Sequence, residues 1–168
     1  MPLFFDRDVV CNTGPIIGLS RAGLCHLPAA LFSTVLLPET VVEELRAKHL
    51  GDAAQIEAAI SAAQIVRLAS PPDLLLQAEL DLGEAAVIQA ARERGVQGVL
   101  IDERRARRVA ATVYGLAVKG TCALLLEAKA RNLIAHVKPA LRAMIEGGYF
   151  IGPRLMAECL RRAGEQVF

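Results

Sequence analysis

The chain has 168 residues, 54% hydrophobic and 22% charged, which is enough apolar side chain for one substantial core and speaks against disorder. Its net charge of +1 excludes a global basic field, so any nucleic-acid contact must come from a local patch. Aromatic residues make up 4% and tryptophan is absent, which argues against aromatic platforms that stack on bases.

In chain order, Asp8 to Cys11 reads as a strand that stops at the polar Asn12. Pro15 to Arg21 reads as a helix, with a short helical piece near Pro28 to Phe32. Thr34 to Leu37 is a second strand, and Glu39 to Lys48 a helix entered at Pro38 and followed by Gly51. Asp52 to Ala63 is alanine-rich and helical, Ile65 to Leu68 a weaker strand, and Leu74 to Leu80 a helical turn or two after Pro71-Pro72. Gly83 to Arg94 is a helix closed by Gly95. Gly98 to Ile101 is a strand that runs into Asp102. Glu103 to Tyr114 is a helix with Ala106, Val109, Ala110 and Val113 as its apolar stripe. Leu116 to Lys119 is a fifth strand, and helices near Cys122 to Ala130, Val137 to Ile145 and Pro153 to Ala163 close the chain.

Strand and helix in repetition predict an α/β fold with a mostly parallel, about five-stranded sheet between helical layers. No composition shift divides the chain, so residues 1–168 read as one domain with a C-terminal helical segment from about residue 122. No run reaches the roughly 18 apolar residues of a membrane span, and residues 1–8 do not resemble a signal peptide. A soluble, cytoplasmic protein without membrane contact is expected. Cys11, Cys25, Cys122 and Cys159 form no C-x-x-C pair and the three histidines are dispersed, so the cysteines read as small buried hydrophobes rather than zinc ligands.

Ligands of parallel sheets bind beyond the carboxyl ends of strands, which singles out Asn12 and Asp102. Asp102 also suits the N-cap of the following helix. Glu84 shares a helix face with Val87 and Ile88, so it points inward. Asp81 and Glu84 have capping-box spacing, which would account for that acid without chemistry. Glu44 could pair with Lys48 on a solvated face, and Asn12 or Thr13 could cap the first helix. Arg104, Arg105, Arg107 and Arg108 lie off the apolar stripe and begin beside Asp102, where phosphates would approach.

Val10-Cys11-Asn12-Thr13-Gly14-Pro15-Ile16-Ile17-Gly18-Leu19, Leu37-Pro38-Glu39-Thr40-Val41-Val42-Glu43-Glu44-Leu45, Asp81-Leu82-Gly83-Glu84-Ala85, Leu100-Ile101-Asp102-Glu103 and Lys119-Gly120-Thr121, in that order and spacing, resemble the PIN-domain family. In particular they resemble its branch of small prokaryotic PIN-like proteins of unknown function. The resemblance implies a parallel sheet sandwiched by helices and a metal-dependent ribonuclease using Mg²⁺ or Mn²⁺. It implies RNA as substrate and a small antitoxin protein as a further partner. Apart from the resemblance, the closing helices, with Leu124, Leu125, Leu126 and Leu133, offer apolar surface for such a partner or for a second copy of the chain, unless they simply cover the sheet. Carried over position by position, Glu44, Glu84 and Asp102 fall on family acids that bind metal, and Asn12 falls where the first acid usually stands. Thr13, Asp81 and Thr121 would line the pocket, and Arg104, Arg105 and Arg108 would contact RNA.

Hard divalent cations prefer carboxylate oxygens, and crowded acids repel one another without a cation between them. Asn12 offers an oxygen without charge, so the resemblance implies a weakened site: a nuclease with one metal, or a PIN-like module that has lost catalysis and holds RNA or a protein partner.

Overall fold

The computed structural model describes residues 3–47 and 52–168. The expected Glu44–Lys48 pair and the Gly51 helix end therefore reach outside the described residues. Five strands, β1 (Val9–Cys11), β2 (Val35–Pro38), β3 (Gln64–Val66), β4 (Gly98–Leu100) and β5 (Ala117–Lys119), form one sheet in the order β3-β2-β1-β4-β5. All four pairings are parallel. The central strands β1, β2 and β4 are buried along their whole length, which is why they read as continuous apolar runs. The edge strands β3 and β5 are more exposed and carry polar residues.

Around the sheet lie α1 (Thr13–Arg21), α2 (Leu27–Leu31), α3 (Glu39–Ala47), α4 (Ala53–Ser61), α5 (Leu74–Glu79), α6 (Leu82–Arg94), α7 (Arg104–Thr112), α8 (Thr121–Ala130), α9 (Lys138–Glu146) and α10 (Pro153–Arg162). Helix α6 packs across β1, β2 and β4, and also against α3. Its inward face of Ala85, Val87, Ile88 and Ala91 joins the core with Val9, Val10, Val99 and Leu100. Leu124 and Leu125 of α8 are fully buried, so that helix spends its apolar side on the core against α1, α2 and α10. Among the described residues, no helix is long and apolar enough to cross a membrane.

The expected stripe of α7 is narrower than its spacing suggests. Ala106 and Ala110 are buried, Val109 is only partly so, and Val113 is exposed. The helix stops at Thr112 and Val113 becomes its C-cap.

The strand order fixes where a ligand can enter. From β1 the chain builds outward through β2 and β3, then returns to place β4 on the other side of β1. The gap between the carboxyl ends of β1 and β4 is therefore the switch point of the sheet. The ladder continues past both ends: Asn12 N donates to Leu100 O at 3.0 Å, and Ile101 N to Lys119 O at 3.0 Å. Asn12 and Asp102 thus leave neighbouring strands on either side of that gap.

Candidate functional site

Asn12 occupies the N-cap position of α1, yet its side chain makes no capping bond. It is only 7% exposed, and its Oδ1 is buried with no hydrogen-bond partner. Leaving a buried carbonyl oxygen unpaired costs about 1–3 kcal/mol, so its environment calls for a donor or a cation. The expectation that Asn12 caps the helix through its side chain is therefore corrected.

Gly83 explains what faces that oxygen. A Cβ there would stand 2.7 Å from Glu44 Oε2, 3.4 Å from Asn12 Oδ1 and 3.6 Å from Asp81 Oδ1. Three oxygens from three parts of the chain thus surround the bare Cα of one glycine. Helix α3 carries Glu44 there, the first turn of α6 holds Gly83 and Glu84, and the β1 end supplies Asn12.

Asp81 and Glu84 form the capping box that their spacing suggests. Glu84 N donates to Asp81 Oδ1 at 2.8 Å and Asp81 N to Glu84 Oε2 at 3.2 Å. The box does not exhaust Glu84, which is 8% exposed and stands among other acids. Burial is the main cause that lifts its carboxyl above the ordinary value, and the charges of Asp81, Glu103 and Glu44 add to it. The bond from Asp81 N–H works in the opposite direction.

Asp102 lies across the gap in a different setting. It is not the N-cap of α7; that role belongs to Glu103, whose side chain accepts from Ala106 N at 2.8 Å. The Asp102 carboxylate is instead drawn across to the start of α8. Oδ1 accepts from Thr121 N at 2.7 Å, and Oδ2 from Thr121 Oγ1 at 2.6 Å and from the Tyr149 hydroxyl. Asp102 serves as a cap after all, but for α8 rather than for its own helix. Burial chiefly, and then the Asp102 charge, raise the Tyr149 hydroxyl well above its ordinary value.

The expected site residues therefore divide. Asn12, Glu44, Asp81 and Glu84 gather around Gly83, with Thr13 buried beside them in the chain. Asp102 and Thr121 pair with each other. Among the described residues, no three His, Cys, Asp or Glu side chains are arranged to hold a metal ion as they stand. Arg104, Arg105 and Arg108 are exposed on α7, and Arg105 is bridged to Glu79. Arg107 is a correction, since it turns inward, is half-buried and donates to Ile101 O at 3.1 Å. Tyr149 and Gly83 are the parts that spacing alone did not single out. Their trace in the sequence is a glycine inside the first turn of α6, where it weakens a helix, and Gly14 and Gly18 four apart on α1.

A model of a domain family described as a PIN domain matches residues 8–165. Among solved structures, the chain is similar to the crystal structure of PAE2754 from Pyrobaculum aerophilum, with 10% sequence identity and a TM-score of 0.50. That match covers 73% of this chain and 96% of the other, and at such identity it speaks for the fold alone. No curated protein matches the chain.

Proposed function

The chain belongs to the PIN-domain family, whose members are generally nuclease-like and divalent-metal dependent, and we propose that it is a Mg²⁺- or Mn²⁺-dependent endoribonuclease with a weakened site. The observation that carries the reading is the buried, unbonded Asn12 Oδ1 beside Glu44 Oε2 at the bare Cα of Gly83. An acceptor with no donor, set among mutually repelling acids that lift Glu84, is an environment that a cation improves. The donor set is all oxygen, which suits a hard divalent ion. Glu44, Glu84 and Asp102 would hold it, with Asn12 as the neutral fourth oxygen. Bound there, the ion supplies an activated water and neutralises charge on the phosphate.

The chain's own groups do the rest. Thr13, Asp81 and Thr121 line the pocket, and the capping box fixes the orientation of Glu84. Arg104, Arg105 and Arg108 are exposed on α7 and would meet an RNA backbone. Arg105 would exchange Glu79 for phosphate on binding. A toxin role with a small antitoxin as partner is what the family resemblance suggests; a cytoplasmic location and a second copy of the chain as partner are part of the same proposal. The test is cleavage of labelled single-stranded RNA with Mn²⁺. Asp102→Asn is expected to lose about 10²–10³ in rate, the usual scale for removing one group that stabilises transition-state charge. Equal cleavage by both proteins would place the activity outside this site.

A second reading, an RNA-binding module without catalysis, draws support from Asp102, whose carboxylate is already occupied by Thr121 and Tyr149. It requires RNA binding that weakens with salt and is indifferent to metal.

A further inference from the structure

Tyr149 reaches Asp102 by a built route. Helix α9 ends in a Schellman turn: Gly148 N donates to Ile145 O at 3.0 Å and Tyr149 N to Met144 O at 2.9 Å. Gly148 has φ of +89°, which L side chains rarely adopt, so the turn depends on that glycine. The Tyr149 ring then lies along α1, where side chains are missing. A Cβ at Gly18 would stand 3.0 Å from Tyr149 Cε1 and 3.1 Å from Cζ, and one at Gly14 3.4 Å from the hydroxyl. Two glycines one helical turn apart make the slot, and the hydroxyl emerges from it onto Asp102 Oδ2.

A carboxylate offers about four lone-pair sites. Thr121 fills one on each oxygen, which already fixes the orientation of the group. Tyr149 fills the second site on Oδ2, leaving Asp102 one free site, on Oδ1. We infer that Tyr149 acts through Asp102 as a latch, its hydroxyl competing with a divalent cation for the carboxylate. Because Thr121 alone orients Asp102, the third bond adds occupancy rather than alignment. The inference rests on the reading of Asp102 as a metal ligand given above.

The experiment is Mn²⁺ affinity of the full chain, followed by the electron paramagnetic resonance signal of free Mn²⁺, in wild type, Tyr149→Phe, Asp102→Asn and the double variant. Phenylalanine keeps the ring in its slot and removes only the hydroxyl. Tyr149→Phe is expected to lower the dissociation constant by about three- to tenfold, the scale of one net hydrogen bond. The gain should vanish when Asp102 is asparagine. A merely structural tyrosine would leave the affinity unchanged or weaken it, and either result overturns the latch. So does an equal gain in the Asp102→Asn background. If Asp102→Asn binds Mn²⁺ as well as wild type does, or if neither wild type nor Tyr149→Phe binds it, the metal-ligand reading itself fails and the latch falls with it. If Asp102→Asn weakens binding while Tyr149→Phe does not tighten it, only the latch fails.

Discussion

The two sides of the β1–β4 gap are built on opposite terms. On the β4 side, Asp102 accepts from Thr121 N, Thr121 Oγ1 and Tyr149, so its charge is answered by the protein itself. On the β1 side, Asn12 Oδ1 is buried with no partner, and Glu84 is lifted by burial and by three neighbouring acids. A fold selected for stability alone would answer both. The contrast separates a carboxylate whose charge is answered within the chain from a buried acceptor that is not.

That contrast can be broken by substitutions whose effects should fall on different observables. Thr121→Val removes the hydroxyl donor from Asp102, and thermal unfolding should show a loss of about 1–3 kcal/mol. A cost below a few tenths would mean that the β4 side is not the structural one. Gly83→Ala should do the reverse. The new Cβ pushes aside the flexible end of Glu44, and alanine suits a helix better than glycine by up to about 1 kcal/mol. Calorimetric titration should show Mn²⁺ affinity down about tenfold, with the melting temperature unchanged or higher.

Asn12→Asp sharpens the comparison by returning a charge to the β1 side. Mn²⁺ affinity should rise about tenfold, worth roughly 1.4 kcal/mol. The metal-free protein should melt about 2–4 °C lower, the shift for about 1 kcal/mol in a chain of this size. No gain in affinity would remove Asn12 from the site. The smallest effect concerns pH. Glu84 ionises above 4.5 in the folded protein and near 4.5 in the unfolded chain, so the folded state holds more protons between those values. Stability from this group is therefore lost as pH rises through that window. Glu84→Gln keeps the capping box and removes the loss. Denaturant unfolding should find the variant more stable than wild type at neutral pH, with the difference closing below about pH 4.

Much of this was legible in the sequence because it is local. Buried parallel strands show as apolar runs such as Val9-Val10-Cys11, and the Asp81–Glu84 box is four consecutive residues. What pairing across the molecule decides was not legible. Asp102 suits the N-cap of α7 by position, yet Thr121 and Tyr149 claim it from 19 and 47 residues away, so Glu103 takes the cap. Arg107 shares the run of arginines but finds the open carbonyl of Ile101. Gly83 is an ordinary helix-start residue until α3 brings Glu44 against it.

The central claim is that the acids around Gly83, and not the bonded Asp102 alone, form a cation site. A crystal soaked in Mn²⁺ and measured at the manganese absorption edge tests it most directly. One anomalous peak is expected beside Gly83, touched by Glu44, Glu84, Asp102 and Asn12 Oδ1. An empty cluster at a Mn²⁺ concentration that supports RNA cleavage, or a peak elsewhere on the chain, would contradict it.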